Sequence, residues 1–307
     1  MTEVEGRKIL VTGPTGQVGF PVARSLAEKN EVYGLARFKK PADRERLEAV
    51  GVRCIVGDLA SGDLGAVPED IEYVAHFAVA KSPKGDFDAD LAANAEGVGL
   101  LMARCCAARA FLHCSTTGVY EPAGQHKLRE EDPLGDNHRV MLPTYSIAKI
   151  SAEAVARFAA RQWSLPTTIA RLNVPYGDNG GWPLFHLEMM IAGQPIPVHP
   201  DGPCLYNPIH EDDIARQVPA LWAAASVPAT IVNWAGADMV GIEEWCAYLG
   251  ELAGIEPSFV STDRTISSVA VDTSRMERLV GRTRIGWRDG FRRMLETWHP
   301  ELLAERS

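Results

Sequence analysis

The stretch Val11–Gly19, VTGPTGQVG, decides the fold. The apolar run Arg7–Val11 leads into it, and the helical pattern FPVARSLAEK follows it. Its three glycines, Gly13, Gly16 and Gly19, recur at every third residue. Glycine permits positive φ and close backbone approach, and a helix N-terminus presents unpaired N–H groups with a partial positive charge. The stretch therefore predicts a turn that holds the phosphates of a dinucleotide, and the alternative is a plain tight strand-to-helix connection.

The first half of the chain alternates short apolar runs with helical patterns. Five runs predict strands: KILVTG, EVYGLAR, VRCIVGD, IEYVAHFAV and AFLHCST. Three stretches between them predict helices: VGFPVARSLAEK, PADRERLEAV and DADLAANAEGVGLLMARCCAAR. Repeated alternation of strand and helix predicts a parallel sheet that helices cover on both faces. We therefore expect an α/β chain with a doubly wound, parallel-sheet Rossmann fold.

The second half has a different organisation. The helix pattern TYSIAKISAEAVARFAARQW and the strand pattern TTIARLNV continue the sheet, and Pro and Gly then become dense. Later, HEDDIARQVPALWAAA and TIVNWAG predict one more helix and one more sheet strand. We expect residues 1–174, with about 211–236, to form the dinucleotide-binding domain. Residues 175–210 and 237–307 are expected to form a smaller, C-terminal substrate-binding lobe.

Composition excludes several classes of partner. The chain has 307 residues, 31 Lys plus Arg against 40 Asp plus Glu, and a formal net charge of −9. An acidic chain without basic runs argues against nucleic acid and anionic membranes. No apolar run reaches the roughly 18 residues of a membrane span and the N-terminus has no signal-peptide pattern, so we expect a cytoplasmic protein. The six cysteines lack zinc or redox spacing, which predicts reduced thiols and no metal site.

The glycine spacing resembles that of one superfamily in particular. Thr12–Gly19 has the form TGxxGxxG in place of the usual GxGxxG. It is similar to the turn of the extended short-chain dehydrogenases/reductases, the NAD(P)-dependent epimerase/dehydratase family. The segments Gly57–Leu59, His76–Ala80, Arg171–Gly177 and Ile209–Ile214 follow in that family's order, so the resemblance covers essentially the whole chain. It implies cofactor contacts at Gly13, Thr15, Gly16, Gln17, Val18, Gly19, Asp58, Leu59, Phe77, Ala78, Val79, Tyr145, Lys149 and Pro175.

Arg37 bears on which cofactor binds. The second predicted strand ends at Arg37, about where an NAD-specific site places Asp or Glu on the ribose 2′-hydroxyl. A guanidinium instead holds a 2′-phosphate with two hydrogen bonds, and Lys39 and Lys40 follow nearby. We therefore expect NADP(H) in preference to NAD(H). The alternative is a solvated basic turn.

Tyr145 and Lys149 form the second informative motif. A spacing of four puts both side chains on one helix face. A free phenol has a pKa of about 10, and a neighbouring ammonium favours the phenolate, so we expect Lys149 to lower the pKa of Tyr145. Tyr145 is then the general acid/base that exchanges a proton with a carbonyl or alcohol while hydride moves to or from the cofactor. The resemblance implies that Lys149 also binds the nicotinamide ribose.

The resemblance implies two further catalytic residues. Family members carry Ser or Thr four residues before the Tyr of a Val-Tyr pair, and counting back from Tyr120 gives Thr116. Its hydroxyl is expected to bind and orient the substrate oxygen, with Ser115 as the alternative. Asn94 matches the family's structural Asn, which supports the catalytic lysine through a water.

Departures from the family pattern bear on the substrate. Thr117 and Gly118 stand where 4,6-dehydratases carry Asp and Glu, so dehydration is not expected. Tyr206 stands where nucleotide-sugar enzymes often place an Arg that pairs with the substrate diphosphate. The sequence therefore argues against a diphosphate, and the alternative is that a distant guanidinium reaches the site, from Arg275, Arg278 or Arg282. The expected substrate contacts are Lys81, Thr117, Met141, Asn173 and Trp182.

We therefore predict hydride transfer between NADP(H) and the carbonyl or alcohol of a small, mainly apolar substrate. The alternative is a sugar epimerase of the same family, possibly acting on a nucleotide sugar, with bound NAD. A more remote alternative is a non-catalytic scaffold that senses NADP. Relatives dimerise through the helices that carry Asn94 and Tyr145, so the resemblance also implies a homodimer.

Overall fold

The fold is that of a computed structural model, which describes residues 4–82 and 85–304; the predicted domain limits at residues 1 and 307 lie outside them. The strands, in chain order, are β1 (Lys8–Thr12), β2 (Glu31–Ala36), β3 (Arg53–Val56), β4 (Tyr73–His76), β5 (Ala110–Thr116), β6 (Thr167–Leu172), β7 (Val174–Gly177), β8 (Gly180–Gly181), β9 (Ile196–Val198), β10 (Leu205–Tyr206), β11 (Pro208–His210), β12 (Thr230–Trp234), β13 (Val240–Gly241) and β14 (Phe259–Ser261).

Helices separate most of these strands. In chain order they are α1 (Gly19–Ala27), α2 (Pro41–Glu48), α3 (Phe87–Leu91), α4 (Gly97–Arg104), α5 (Tyr145–Gln162), α6 (Trp182–Ile191), α7 (Glu211–Ala223), α8 (Ile242–Ala253), α9 (Ser274–Leu279), α10 (Trp287–Trp298) and α11 (Pro300–Ala304). A π-helical turn, Ala92–Glu96, joins α3 to α4, and a 3₁₀ turn, Thr117–Val119, follows β5.

Within the described residues, seven strands form a parallel sheet in the order β12-β6-β5-β4-β1-β2-β3. The strands β5 and β6 are buried along their whole length, as expected of central strands in a parallel sheet that helices cover on both faces. The winding reverses between β1 and β4, and ligands of such sheets bind at the carboxyl ends of the strands beside that point. The predicted doubly wound Rossmann fold is confirmed, and the glycine-rich turn lies at the reversal.

Apolar helix faces cover the sheet on both sides. On one side Phe20 and Leu26 of α1 pack in one cluster with Ile214 and Leu221 of α7. On the other side the small, buried faces of α4 and α5 pack together against β5 and β6. Burial of each large side chain contributes on the order of 2 kcal/mol to stability. The two helix layers therefore hold the sheet in place, and with it the ends of β1 and β5, from which the candidate site is built.

One helix prediction is wrong in its continuity. The stretch 88–109 is predicted as a single helix, and the structure divides it into α3, the π-helical turn and α4. The Asn94 side chain lies in the π-helical turn and donates to the carbonyl oxygens of Asp90, at 2.8 Å, and Ala80, at 3.0 Å. Its Oδ1 accepts from the Ala80 N–H at 2.9 Å. The π-helical turn thus contains a side chain, Asn94, that is bonded to a neighbouring loop. Hydrophobic periodicity does not reveal such a bond.

The second lobe has its own aromatic core, in which the buried side chains of Trp245, Tyr176 and Phe291 meet. The domain limits given above remain a prediction, with one departure. Met276 and Val280 fall in the range assigned to the lobe, yet they pack in the core beneath the sheet. The α9 segment therefore belongs with the dinucleotide-binding domain.

Three further expectations concern whole classes of feature. All six cysteines are free thiols, as predicted. No group of His, Cys, Asp or Glu suited to a metal ion occurs among residues 4–82 and 85–304. No helix in the described part of the chain is long and apolar enough to cross a bilayer.

Candidate active site

The glycine-rich turn has the geometry of a phosphate cradle. Gly13 has a φ of +65°, and a Cβ there would lie 2.8 Å from the Ala78 backbone. A Cβ on Gly19 would lie 2.2 Å from the carbonyl oxygen of Gly13. Gly16 is open to its surroundings, with its nearest neighbour 3.4 Å from a built Cβ. The N-cap Val18 supplies no side-chain hydrogen bond to α1. The Phe20 N–H donates to the Gly16 carbonyl oxygen at 3.0 Å and Pro21 has no N–H, which leaves the Gly19 N–H of the first turn for an anion.

The Gln17 side chain is hydrogen-bonded to the second lobe. Its Nε2 donates to the carbonyl oxygens of Pro175 and Gly180, at 2.9 and 3.2 Å. In the opposite direction, the Asn179 side chain donates to the Gln17 carbonyl oxygen at 2.9 Å. Because its amide hydrogens are used in this way, the Gln17 side chain fastens the turn to the second lobe, and its contact with the cofactor remains a prediction.

A cavity of about 270 Å³ continues from the turn along the ends of β2 and β3. Arg37 and Lys39 line it, and neither has an ion-pair or hydrogen-bond partner among the residues that the structure describes. The Asp58 carboxylate also lines it and accepts from the Ala60 N–H at 3.1 Å, which shapes its own loop. The predicted cofactor residues on this cavity are Gly13, Thr15, Arg37, Asp58, Leu59, Ala78 and Val79.

A larger cleft, of about 490 Å³, lies on the other side of the turn. It brings together predicted residues that are far apart in sequence: Gly13, Gly16, Gln17, Val18, Gly19, Phe77, Val79, Thr116, Tyr145, Lys149 and Pro175. All five expected substrate contacts also line it: Lys81, Thr117, Met141, Asn173 and Trp182. Asn94 is the one predicted site residue on neither cavity in the described structure, and its side-chain bonds to Ala80 make it a positioning group.

Thr116 and Tyr145 meet where β5 ends and α5 begins. The Thr116 hydroxyl accepts from the Gly118 N–H at 3.0 Å, and both Thr116 and Tyr145 line the cleft. The neighbouring Ser115 hydroxyl instead donates to Glu153 at 2.5 Å, on the far side of the strand. The geometry therefore favours Thr116 over Ser115 as the hydroxyl that faces substrate.

The prediction that Lys149 lowers the pKa of Tyr145 is wrong. Burial raises the pKa of Tyr145 to about 12, and Lys149 is not among the groups that shift it. The Lys149 ammonium donates to the Cys114 carbonyl oxygen at 2.9 Å, so its charge is directed at the end of β5. Burial, together with the charge of Lys81, lowers the pKa of Lys149. The pair shares a helix face, as the spacing predicts, without direct contact between the two polar ends.

Asn173 is a framework residue, which corrects its expected role as a substrate contact. Its Nδ2 donates to the Thr117 hydroxyl at 3.1 Å and to the Val269 carbonyl oxygen at 2.8 Å. Its Oδ1 accepts from the N–H groups of Val174 and Asn207, both at 3.0 Å. All the hydrogen-bonding capacity of an amide is thereby used. Thr117 keeps its hydroxyl hydrogen for a ligand.

Sequence reasoning missed His138. Its ring lines the cleft, and its centroid lies 5.7 Å from that of Tyr145. Its Nδ1 hydrogen-bonds the Asn137 side chain, and burial together with the charge of Lys81 lowers its pKa to about 4. The ring sits over Gly118, where a built Cβ would come within 3.0 Å of it. The loop between Tyr120 and Tyr145 has no regular pattern from which this position follows.

No guanidinium reaches the cleft in the described structure. Tyr206 lines it at the position where an Arg was sought, and its hydroxyl donates to the Ser267 carbonyl oxygen at 2.7 Å. The three distant candidates for a diphosphate contact lie outside its lining: Arg275, Arg278 and Arg282. The notion that one of them replaces the missing cation is therefore wrong.

The doubly wound sheet, the glycine turn and the Thr116–Tyr145–Lys149 group define a protein of the short-chain dehydrogenase/reductase type. Residues 9–233 match the model of the NAD dependent epimerase/dehydratase family. The chain belongs to that family, and both the predicted family and the predicted class of enzyme are confirmed at this level.

The names of two relatives refer to sugar nucleotides. A trifunctional UDP-glucose 4,6-dehydratase/UDP-4-keto-6-deoxy-D-glucose 3,5-epimerase/UDP-4-keto-L-rhamnose-reductase of Arabidopsis thaliana is 26% identical, over 98% of this chain and 48% of that protein. A dTDP-4-dehydrorhamnose reductase of Burkholderia thailandensis is 35% identical, over 51% of this chain and 47% of that protein. The chain spans about half the length of these curated relatives.

A solved structure shares the fold. The UDP-glucuronic acid 4-epimerase of Bacillus cereus, in complex with UDP-glucuronic acid and NAD, superposes with a TM-score of 0.81 and 20% identity, over 94% of this chain and 98% of that one. The complex contains NAD, and the comparisons give no support to the NADP preference predicted from Arg37.

Proposed function

We propose that the chain oxidises and re-reduces one hydroxyl-bearing carbon of a sugar nucleotide, with epimerisation at that carbon as the net reaction. The observation that carries this proposal is the Thr116–Tyr145–Lys149 group in a cleft of about 490 Å³ that is continuous with the glycine turn. Because the named relatives act on UDP- and dTDP-linked sugars, we prefer a sugar to the small apolar substrate predicted from the sequence.

The cradle and its two cavities fit a nicotinamide dinucleotide. Gly16 leaves room for a pyrophosphate at the N-terminus of α1, and the Asp58 side of the turn offers a cavity for the adenosine half. The cofactor, when bound, supplies a ring that accepts and returns hydride. Whether it is NAD or NADP depends on Arg37, which is free to meet a 2′-phosphate.

The chain's own contribution is proton transfer and orientation. Burial raises the pKa of Tyr145 to about 12, so its hydroxyl is protonated at neutral pH and can give a proton to the carbonyl oxygen in the reduction step. In the oxidation step Tyr145 must be a phenolate that takes the proton of the sugar hydroxyl, a form that the positive charge of an oxidised nicotinamide ring would favour. Thr116 directs this substrate oxygen, since it lines the same cleft as Tyr145, at the end of β5. Well-placed acid/base catalysis of this kind contributes about 10²–10⁴-fold to a rate. Thr117 and Gly118 supply no carboxyl group, so elimination of water is not part of the proposal.

A second candidate function is net reduction of a keto sugar. Two observations favour it: the unpartnered Arg37 suits an exchangeable NADP(H), and one relative is a dTDP-4-dehydrorhamnose reductase. The two functions share Thr116, Tyr145 and Lys149 and differ in redox balance.

The test is a panel of UDP- and dTDP-hexoses with NAD or NADP, followed by proton NMR of the sugar and absorbance at about 340 nm. Epimerisation gives a new isomer without net change in absorbance, whereas reduction of a keto sugar consumes reduced cofactor. The variant Tyr145→Phe is expected to lose at least 100-fold in rate with cofactor binding retained. If no sugar turned over and Tyr145→Phe left an activity on apolar ketones undiminished, the proposal would fail.

We also propose that the chain forms a homodimer through α4 and α5. Leu100 on α4 is 46% exposed and Phe158 on α5 is 62% exposed, which leaves apolar surface on two neighbouring helices. Analytical ultracentrifugation should give a dimer for the chain and a monomer for Phe158→Asp. A monomeric parent chain would refute it.

A further inference from the structure

The hairpin between β7 and β8 touches the glycine turn through its tip, Asp178–Asn179. The Asn179 Nδ2 donates to the carbonyl oxygens of Gly16, at 3.3 Å, and Gln17, at 2.9 Å. Asn179 itself lines neither of the two cavities in the described structure. Its side chain therefore acts on the turn from outside and does not act on what the turn holds.

The carbonyl oxygen of Gln17 needs a donor from outside its own helix. In an α-helix it would accept from the N–H of the residue four positions further on, which is Pro21 and has no N–H. The neighbouring Gly16 carbonyl does have such a partner, because the Phe20 N–H donates to it at 3.0 Å. The Asn179 amide thus replaces the donor that Pro21 lacks.

Arg46 of α2 fixes the direction in which the Asn179 amide faces. Its Nη2 donates to Asn179 Oδ1 at 2.9 Å, and its guanidinium carbon lies 3.5 Å from the centroid of the Phe20 ring on α1. A guanidinium carries only donors, so the atom that meets it must be the amide oxygen. The amide nitrogen then faces the turn, and both of its hydrogens are used there.

The hairpin tip is held by both parts of the chain. The Asn179 N–H donates at 2.8 Å to the carboxylate of Glu211, the first residue of α7. Two residues of α10, in the second lobe, hold Asp178: the Trp298 indole N–H donates to its carbonyl oxygen at 3.2 Å, and Arg293 Nη2 lies 3.9 Å from its carboxylate. The second lobe therefore helps to set where the Asn179 amide lies.

Holding two carbonyl groups also orients two N–H groups. The carbonyls of Gly16 and Gln17 share their peptide units with the N–H groups of Gln17 and Val18, and in a planar trans peptide the two groups point in opposite directions. Gly16, Gln17 and Val18 all line the larger cleft. Because the carbonyls face Asn179, outside the cleft, the N–H groups are directed into it, where a phosphate can accept from them.

We propose that Asn179 is a positioning residue, which directs the N–H groups of Gln17 and Val18 at the pyrophosphate of the cofactor and ties this arrangement to the second lobe. The proposal rests on the dinucleotide binding contained in the proposed function, and it adds a residue that sets the affinity for the cofactor without touching it. Proton transfer at Tyr145 does not depend on Asn179.

The test is titration calorimetry with NAD, NADP and ADP-ribose on the parent chain and on Asn179→Leu, which has nearly the same size and no amide. All three ligands contain a pyrophosphate, so the loss of both hydrogen bonds to the turn should weaken each of them about tenfold. Adenosine, which has no phosphate, should bind with unchanged affinity in an NMR titration. Gln194→Leu, at an exposed amide outside both cavities, is the matched control and should change none of the four affinities.

Arg46→Met supplies a second variant at an exposed residue, and it keeps the proposal testable if Asn179→Leu does not fold. Because Arg46 orients the amide, Arg46→Met should weaken the three pyrophosphate ligands about threefold in the parent chain. It should have no further effect in the Asn179→Leu protein, since the two residues act through one contact.

Affinities of Asn179→Leu within twofold of the parent values would overturn the proposal. So would an equal loss for adenosine, because a general distortion of the domain weakens the adenosine half as well. Equal effects of Arg46→Met with and without Asn179 would contradict the orienting role of Arg46. A parent chain that binds neither dinucleotide would refute this proposal together with the proposed function, whereas a parent chain that binds them and an Asn179→Leu protein that binds them equally well would refute this proposal alone.

Discussion

Breaking the buried pair Arg171–Glu153 should be one of the most destabilising single changes beneath the site. Arg171 Nε and Nη2 donate to the two Glu153 oxygens at 3.0 and 2.8 Å, and both side chains are almost fully buried. The same carboxylate accepts from Ser115, next to Thr116. Removing one partner of a buried pair costs about 3–5 kcal/mol because the other charge stays buried and unpaired. We expect that loss in the free energy of unfolding for Arg171→Met.

The assay is urea unfolding at neutral pH, followed by tryptophan fluorescence. Arg157→Met, an exposed arginine on the same α5 helix as Glu153, is the control and should change stability by less than about 0.5 kcal/mol. The double variant Arg171→Met/Glu153→Leu should be more stable than Arg171→Met alone, since it no longer buries an unpaired carboxylate. A loss below about 1 kcal/mol for Arg171→Met, or no recovery in the double variant, would refute the reasoning.

Three further predictions concern pH, the turn and the cofactor. Burial raises the pKa of Glu211 from 4.5 to about 7, so the folded state binds this proton more tightly and the free energy of unfolding should fall as pH rises from about 4.5 to 7. Glu211→Gln should remove this pH dependence. At pH 8 thermal unfolding should show the variant to be more stable than the parent chain, by on the order of 2 kcal/mol. An unchanged pH profile would contradict this. Gly13→Ala places a Cβ 2.8 Å from the Ala78 backbone at a φ of +65°, so the turn must distort. Calorimetry should show cofactor binding weakened at least tenfold, whereas an unchanged affinity would contradict the assigned role of the turn. Arg37→Ser should weaken NADP binding about tenfold or more without affecting NAD; equal losses for both would show that Arg37 does not bind a 2′-phosphate.

Local patterns predicted the elements that carry the site. The spacing of Gly13, Gly16 and Gly19 implied a strand, a turn and a helix, and the parallel alternation placed that turn at the carboxyl end of β1. Tyr145 opens α5 as its motif indicates. These features follow from periodicity and backbone chemistry over a few residues, which a single sequence displays.

What the sequence did not reveal depends on contacts between distant segments. The break in the helix at Asn94 accompanies bonds to Ala80 in another loop. The saturation of Asn173 needs four partners, three of them from separate segments. The pKa of Tyr145 is set by burial, which is a property of the packed cleft. His138 reaches the site along a loop without periodicity, so only the folded chain places it beside Tyr145.

The most direct test of the central claim follows a deuterium label at the reacting carbon of the sugar. If Tyr145 and the bound nicotinamide oxidise and re-reduce that carbon, the label must return to it, and the epimer should carry deuterium there with no incorporation from water. Tyr145→Phe should form this labelled epimer at least 100-fold more slowly. Loss of the label to solvent, or an equal rate for Tyr145→Phe, would contradict the account.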